Sequence, residues 1–185
     1  LLMLEAEACK GEAVKLFRYA ASLAPMSSDA CLGLASSLYR TGDPRGAIRI
    51  YEEWLARQPN NPRALNDLAW ILQEQFQRYE EALGLINRAL DAEPADVYLL
   101  DTRGSILMNL GSRLAEARRD FEKIQRLTGA GEAGQASNLV KLGRVCFELN
   151  DLGAARQYLE QALTFDQGLK VLTKEQHQEI AEVLG

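Results

Sequence analysis

The feature that most constrains this chain is a phrase that returns. Ala47, Tyr51, Trp54 and Pro59 follow one another at steps of four, three and five residues. The same phrase stands upstream as Ala13, Phe17, Ala20 and Pro25, and downstream as Ala82, Ile86, Ala89 and Pro94. Shorter copies follow at Ala117, Phe121, Ile124 and at Ala155, Leu159, Ala162. The first members of the five copies lie 34, 35, 35 and 38 residues apart. A nearly constant step of this length, carried by residues at helical spacing, predicts an array of helix pairs. A lone two-helix hairpin cannot bury its apolar faces, so each pair needs its neighbours to complete a core.

Between the phrases, apolar residues recur at i, i+3, i+4 and i+7, which places the helices. The spacing predicts a helical tail over 1–9, a break at Lys10-Gly11, and a helix over 12–23 presenting Ala13, Leu16, Phe17 and Ala20. Further helices are expected over 28–40, 44–57, 62–75, 79–91, 96–110, 113–127, 135–149 and 152–164. Ser27, Ser28 or Asp29 can cap the first of these, while Asp43-Pro44 and Asn61-Pro62 each supply a cap followed by proline at the first helical position. A last helix over 173–184 opens with Thr173-Lys174-Glu175-Gln176, a capping box, and is either a polar-faced end or the first half of another pair. The predicted array comprises a partial repeat over 1–27, repeats over 28–61, 62–96, 97–134 and 135–169, and a terminal segment over 170–185. Small residues are required where helix axes approach closely, at Ala35, Ala69, Gly104 and Gly143 and at Ala20, Ala89 and Ala162. Arg103 takes a place held elsewhere by Leu34, Leu68 and Leu142. Truncating Leu68 or Phe17 to alanine is expected to cost about 2–5 kcal/mol.

Composition removes several function classes. A formal charge of -5 and a pI near 5.1 do not suit a phosphate backbone, so no nucleic-acid partner is expected. No apolar run approaches the roughly 18 residues needed to cross a bilayer. The opening Leu1-Leu2-Met3-Leu4 has no positive flank and no initiator methionine, so the chain is expected to be a piece of something longer. Cys9, Cys31 and Cys146 are odd in number and widely spaced, unlike a disulfide framework or a zinc site. Cys31 and Cys146 fall at apolar helical positions and read as small buried hydrophobes, which favours a reducing cytoplasm; a periplasmic setting would need a signal elsewhere in the longer chain. His177 is the sole histidine, so no metal cluster is expected, and it reads as a surface residue. Gly129-Ala130-Gly131-Glu132-Ala133-Gly134 spells a dinucleotide fingerprint, but a helix precedes it and no strand pattern exists, so it reads as a connection. The pairs Glu52-Glu53, Glu80-Glu81 and Arg118-Arg119 read as solvated helix faces, since adjacent helical residues do not converge. No catalytic residue, cofactor or metal ligand emerges.

The phrases resemble the tetratricopeptide repeat. Leu34-Ala35-x-x-Leu38-Tyr39 leading to Ala47, Tyr51, Trp54 and Pro59 carries the likeness, as does Leu142-Gly143-x-x-Cys146-Phe147 leading to Ala155, Leu159 and Ala162. The departures are Cys31, Leu65, Leu100 and Leu139 in place of an early aromatic, Trp54 in place of a small residue, and a longer junction over 128–135. The resemblance implies an all-α, right-handed superhelix of about 4.5–5 repeats with a C-terminal helix. It further implies a protein-interaction scaffold whose first helices line a groove for a peptide or partner helix. The residues carried onto that groove are Ser36, Tyr39 and Arg40; Asn66, Trp70, Gln73 and Glu74; Tyr98, Asp101, Ser105, Met108 and Asn109; and Lys141, Arg144, Phe147 and Glu148. Rings with interspersed amides suit a peptide, with Trp70 as the leading contact. The basic clamp by which some relatives hold a C-terminal carboxylate is absent, because Asn66 stands far from Lys141 and Arg144. Two other readings stay open: a module that self-assembles into homo-oligomers, and a docking part of a larger enzyme or of a secretion or envelope-biogenesis complex.

Overall fold

In the computed structural model, which describes residues 2–25, 27–128, 133–170 and 172–184, every element is an α-helix. In chain order they are α1 Leu2–Leu23, α2 Ser28–Arg40, α3 Pro44–Leu55, α4 Pro62–Phe76, α5 Tyr79–Ala92, α6 Val97–Leu110, α7 Leu114–Leu127, α8 Ala133–Glu148, α9 Leu152–Leu169 and α10 Lys174–Leu184. The fold is an all-α solenoid of helix pairs, α2 with α3, α4 with α5, α6 with α7 and α8 with α9. The chain divides into two compact units, Leu1–Ala92 and Glu93–Gly185.

The helix starts follow the sequence closely. Ser27 caps α2 through Ala30 N–H, Asp43 caps α3 through Gly46 N–H, and Asn61 caps α4 through Ala64 N–H. Asp96 and Asp151 do the same for α6 and α9. Each oxygen satisfies a backbone donor that has no partner inside its helix. The stops differ. α1 runs through Lys10-Gly11 without the expected break, because one interior glycine costs only about 1 kcal/mol and leaves the hydrogen-bond ladder intact. α9 continues to Leu169, past the expected end at 164. Residues 129–132 of the fingerprint-like run and the side chain of Cys9 lie outside the described residues, while Ala133 and Gly134 open α8.

In unit 1 the core is built from Leu34, Ala35 and Leu38 of α2, Ala47, Tyr51 and Trp54 of α3, Leu65, Leu68, Ala69 and Leu72 of α4, and Ala82, Ile86 and Ala89 of α5. Leu16 and Phe17 depart from the predicted inner stripe: both are exposed on α1. In unit 2 the corresponding spine is Leu100, Leu107, Ala117, Phe121, Leu139, Leu142, Leu159 and Ala162. The small residues stand where close approach demands them. A Cβ at Gly104 would come 2.6 Å from the Phe121 ring, and one at Gly143 would come 2.4 Å from Leu159. Cys31 and Cys146 are buried free thiols, as the pattern implied.

Polar staples tie successive repeats. Arg57 donates to the Pro25 carbonyl at 3.0 Å, Arg88 to the Pro59 carbonyl at 2.5 Å, and Lys123 to the Pro94 carbonyl at 2.6 Å. The prolines that close the phrase thus accept from a cation on the next second helix or, for Arg57, just past its end. Arg103 is explained by a partner on α7. Its Nε and Nη2 reach Asp120 Oδ2 and Oδ1 at 2.7 and 2.6 Å, a planar fork on a carboxylate. Arg118 is not a solvated-face residue. It donates to Glu122 at 2.8 Å and to Asp151, the cap of α9, at 3.0 Å, so it joins α7 to the next pair.

Candidate partner-binding surfaces

In unit 1, α2 and α4 set side by side the residues that the helical spacing aimed outward. The Tyr39 and Trp70 rings meet edge to face, 5.3 Å apart at 81°, a favoured aromatic geometry. Gln75 Nε2 donates to the Tyr39 hydroxyl at 3.3 Å. Below them a cavity of about 200 Å³ is lined by Ser36, Tyr39, Tyr51, Asn66, Asp67, Trp70 and Ile71. Its base is fixed by the buried Tyr51 hydroxyl, which donates to Asp67 Oδ2 at 3.0 Å. Burial first, and the Asp67 carboxylate second, push the Tyr51 hydroxyl far above its usual range, so it stays a donor. Asn66 Nδ2 donates to Asp67 Oδ1 at 3.5 Å, while Asn66 Oδ1 is buried with no partner. Three expected residues stand apart from this lining, the exposed Glu74 of α4 among them. Arg40 is exposed at the last position of α2, and Gln73 is only 3% exposed.

In unit 2, Val97, Tyr98 and Asp101 of α6, Ile124 and Thr128 beside α7, and Ser137, Asn138 and Lys141 of α8 line a cavity of about 330 Å³. Tyr98 stands 76% exposed at its edge. Lys141 donates to Asp101 Oδ1 at 2.5 Å and to Ser105 Oγ at 3.3 Å, and its ammonium sits 5.6 Å from the centre of the Phe121 ring. The structure therefore joins Asp101, Ser105 and Lys141 into one neutralised cluster rather than three separate contacts. Asn138 donates from Nδ2 to the Phe121 carbonyl at 3.0 Å, and its Oδ1 is buried without a partner. Asn109 is exposed in the last turn of α6. Arg144 pairs with Glu148 at 3.1 Å beside the exposed Phe147 ring, away from the cavity under Tyr98.

The end of unit 2 carries more than a polar cap. Ile180 of α10 is buried with Leu139, Val140, Leu159 and Ala162, and Gln176 donates to Ser137 Oγ at 3.0 Å. The capping box is formed: Thr173 N–H donates to Gln176 Oε1 at 2.9 Å and Gln176 N–H donates to Thr173 Oγ1 at 3.2 Å. His177 is exposed but engaged, with Nδ1 2.9 Å from the Thr173 carbonyl and Nε2 2.9 Å from Asp166 Oδ2. Both neighbours are acceptors only, so the two contacts together require the doubly protonated ring. The Thr173 carbonyl first, and Asp166 second, raise the His177 pKa above its ordinary 6.5. A group whose pKa is raised on folding adds stability that is complete below the unfolded value and lost as pH climbs through the folded value. Docking of α10 is therefore expected to be tightest below about 6.5 and to loosen above it. Because the chain has a single histidine, an NMR titration of His177 checks this directly. The expected result is a midpoint above 6.5 that moves down toward 6.5 in Asp166→Asn, where the Thr173 carbonyl contact remains; an unshifted midpoint in the parent chain would remove the bridge.

Reading the sequence alone missed Asn138, Asp67 and the outer face of α10. Asn138 offered a signal, a polar residue directly before the apolar Leu139-Val140. Asp67 offered none, since its role depends on Tyr51 from the neighbouring pair. Among the described residues no cluster of three or more metal-ligating side chains occurs, and no helix is long and apolar enough to cross a membrane.

Comparison with known proteins agrees with the helix-pair fold. Tetratricopeptide repeat family profiles match residues 32–97 and 136–168. The type IV pilus assembly protein PilF of Pseudomonas aeruginosa is 31% identical over 149 residues, which is 77% of this chain and 55% of that protein. The chain thus spans about half the length of that relative. A solved structure of P. aeruginosa PilF superposes with a TM-score of 0.71 at 23% identity, covering 98% of this chain and 84% of the other. MamA from Desulfovibrio magneticus superposes with a TM-score of 0.75 at 17% identity, covering 86% and 87%. At these identities the structural likenesses speak to the fold alone.

Proposed function

The chain belongs to the tetratricopeptide repeat family, whose arrays are protein-interaction scaffolds, and from that premise we propose that it holds an extended or helical segment of a partner protein on its first helices, without catalysis of its own. The observation that carries this reading is the half-exposed Tyr39–Trp70 pair over the buried, unpartnered Asn66 oxygen. The rings offer apolar area at low entropic cost, and the oxygen needs an N–H that a peptide backbone supplies. Tyr98 and the buried, unpartnered Asn138 oxygen offer the same combination in unit 2. Arg40, Ser105, Asn109 and Arg144 then act as peripheral contacts. The likeness to a pilus assembly protein makes components of a type IV pilus apparatus the first partners to try.

The test is a calorimetric titration of purified pilus-assembly components against the chain. A component that binds is expected to lose at least tenfold in affinity with Trp70→Ala, and likewise with Tyr98→Ala, because central aromatic anchors dominate such interfaces. Undiminished binding by the double variant would exclude these surfaces as the site.

A further inference from the structure

The outer face of α10 and the end of α8 enclose a third cleft, distinct in character from the two surfaces above. It measures about 490 Å³ and is lined by Arg144, Phe147 and Glu148 of α8 and by Glu175, Gln178, Glu182 and Val183 of α10. Its apolar part is Phe147, exposed to 44%, together with Val183. Glu175, Gln178 and Glu182 recur at steps of three and four, so they form one stripe along α10. The single cation in the lining, Arg144, is met by Glu148 at 3.1 Å. Gln178 donates to Glu182 at 3.1 Å, and among the described residues neither Glu175 nor Glu182 pairs with a cation. Glu175 is held below its ordinary carboxylate value by its own backbone N–H first and the Thr173 hydroxyl second, so it is charged at neutral pH. The acidic wall is anchored rather than loose: Ile180 is buried against α8 and α9, Gln176 reaches Ser137, and His177 reaches Asp166.

We propose that this cleft binds a basic, apolar-centred segment of a protein partner, with an aliphatic side chain seated on Phe147 and Val183 and a lysine or arginine facing each of Glu175 and Glu182. Charge complementarity selects that occupant: an apolar floor with two uncompensated carboxylates repels acidic peptides and leaves a neutral one without partners for its rim. Geometry sets the spacing. Seven helical residues separate the two glutamates, about 10 Å along α10, which an extended peptide covers in roughly three residues. The pattern is therefore basic, aliphatic, any, basic. This rests on the scaffold reading and adds a ligand chemistry to it.

The test is fluorescence anisotropy of the intact chain with a labelled, end-blocked peptide, Gly-Lys-Leu-Gly-Lys-Gly. Saturable binding that weakens as salt rises is expected. Glu175→Gln with Glu182→Gln is expected to weaken it roughly threefold to tenfold, in line with exposed ion pairs. Phe147→Ala is expected to weaken it by about tenfold through lost apolar contact. Serine in place of the peptide leucine, or glutamate in place of its lysines, is expected to abolish it. Trp70→Ala is expected to leave it unchanged, which separates this cleft from the Tyr39–Trp70 surface. No saturable binding, equal binding by the double glutamine variant, or equal binding of the serine peptide would each overturn the proposal. All these residues are surface positions, and unchanged helical circular dichroism in the variants shows that the fold is retained.

Discussion

Replacing Asp120 with alanine is expected to destabilise unit 2 by about 3 kcal/mol, because it removes the buried half of a bidentate ion pair. Asp120 is 4% exposed, and its carboxylate receives the Arg103 fork at 2.6 and 2.7 Å. Without it, the guanidinium loses the carboxylate it lies against in the seam between α6 and α7. The repeat itself supplies the control. Where this pair has Arg103 against Asp120, the other pairs have Leu34 against Ile50, Leu68 against Leu85, and Leu142 against Tyr158. Arg103→Leu with Asp120→Leu restores the apolar pattern, and the double variant is expected to match or exceed the parent, since apolar replacement of a buried ion pair is commonly neutral or stabilising. Urea unfolding of the four members of this cycle measures the coupling. A loss below about 1 kcal/mol for Asp120→Ala would mean that solvent reaches the guanidinium well enough to dispense with the partner.

That pair also shows where sequence reading stops. The period, the helix pairs and the caps were legible because each depends on residues within one turn or one phrase: Asn61 before Pro62 announces α4 whatever lies beside it. Arg103 was visible as an intruder, but its partner lies 17 residues on and belongs to another helix. Arg118 was misread for the same reason, since its bond to Asp151 spans 33 residues. Of the candidate surface residues, Tyr39 and Trp70 emerge together because their helices are successive first helices in register. Gln73 is buried instead, and Lys141 is tied to Asp101 and Ser105. The acidic face of α10 looked like an end cap because nothing local reveals that Phe147 stands opposite it.

The second large effect is expected at Phe121. Its ring is fully buried and lies against Gly104, and truncation to alanine is expected to cost about 3–5 kcal/mol. Phe17 holds the same place in the first copy of the phrase, and the pattern alone assigns it a similar cost. The structure lowers that figure. Phe17 is 36% exposed and rests on Gly33 of α2, so Phe17→Ala removes mainly one face of contact, about 1–2 kcal/mol. The contrast isolates burial from sequence, because both residues occupy the same step of the repeat. A reciprocal substitution sharpens it. Gly104→Ala in the parent drives a Cβ to 2.6 Å from the Phe121 ring and forces the seam apart; in the Phe121→Ala background the same methyl enters vacated space. The two changes are therefore expected to be strongly non-additive, with the double variant more stable than the sum of the single losses predicts. Additive losses in urea unfolding would show that α6 and α7 relax around the site instead of meeting through that one ring.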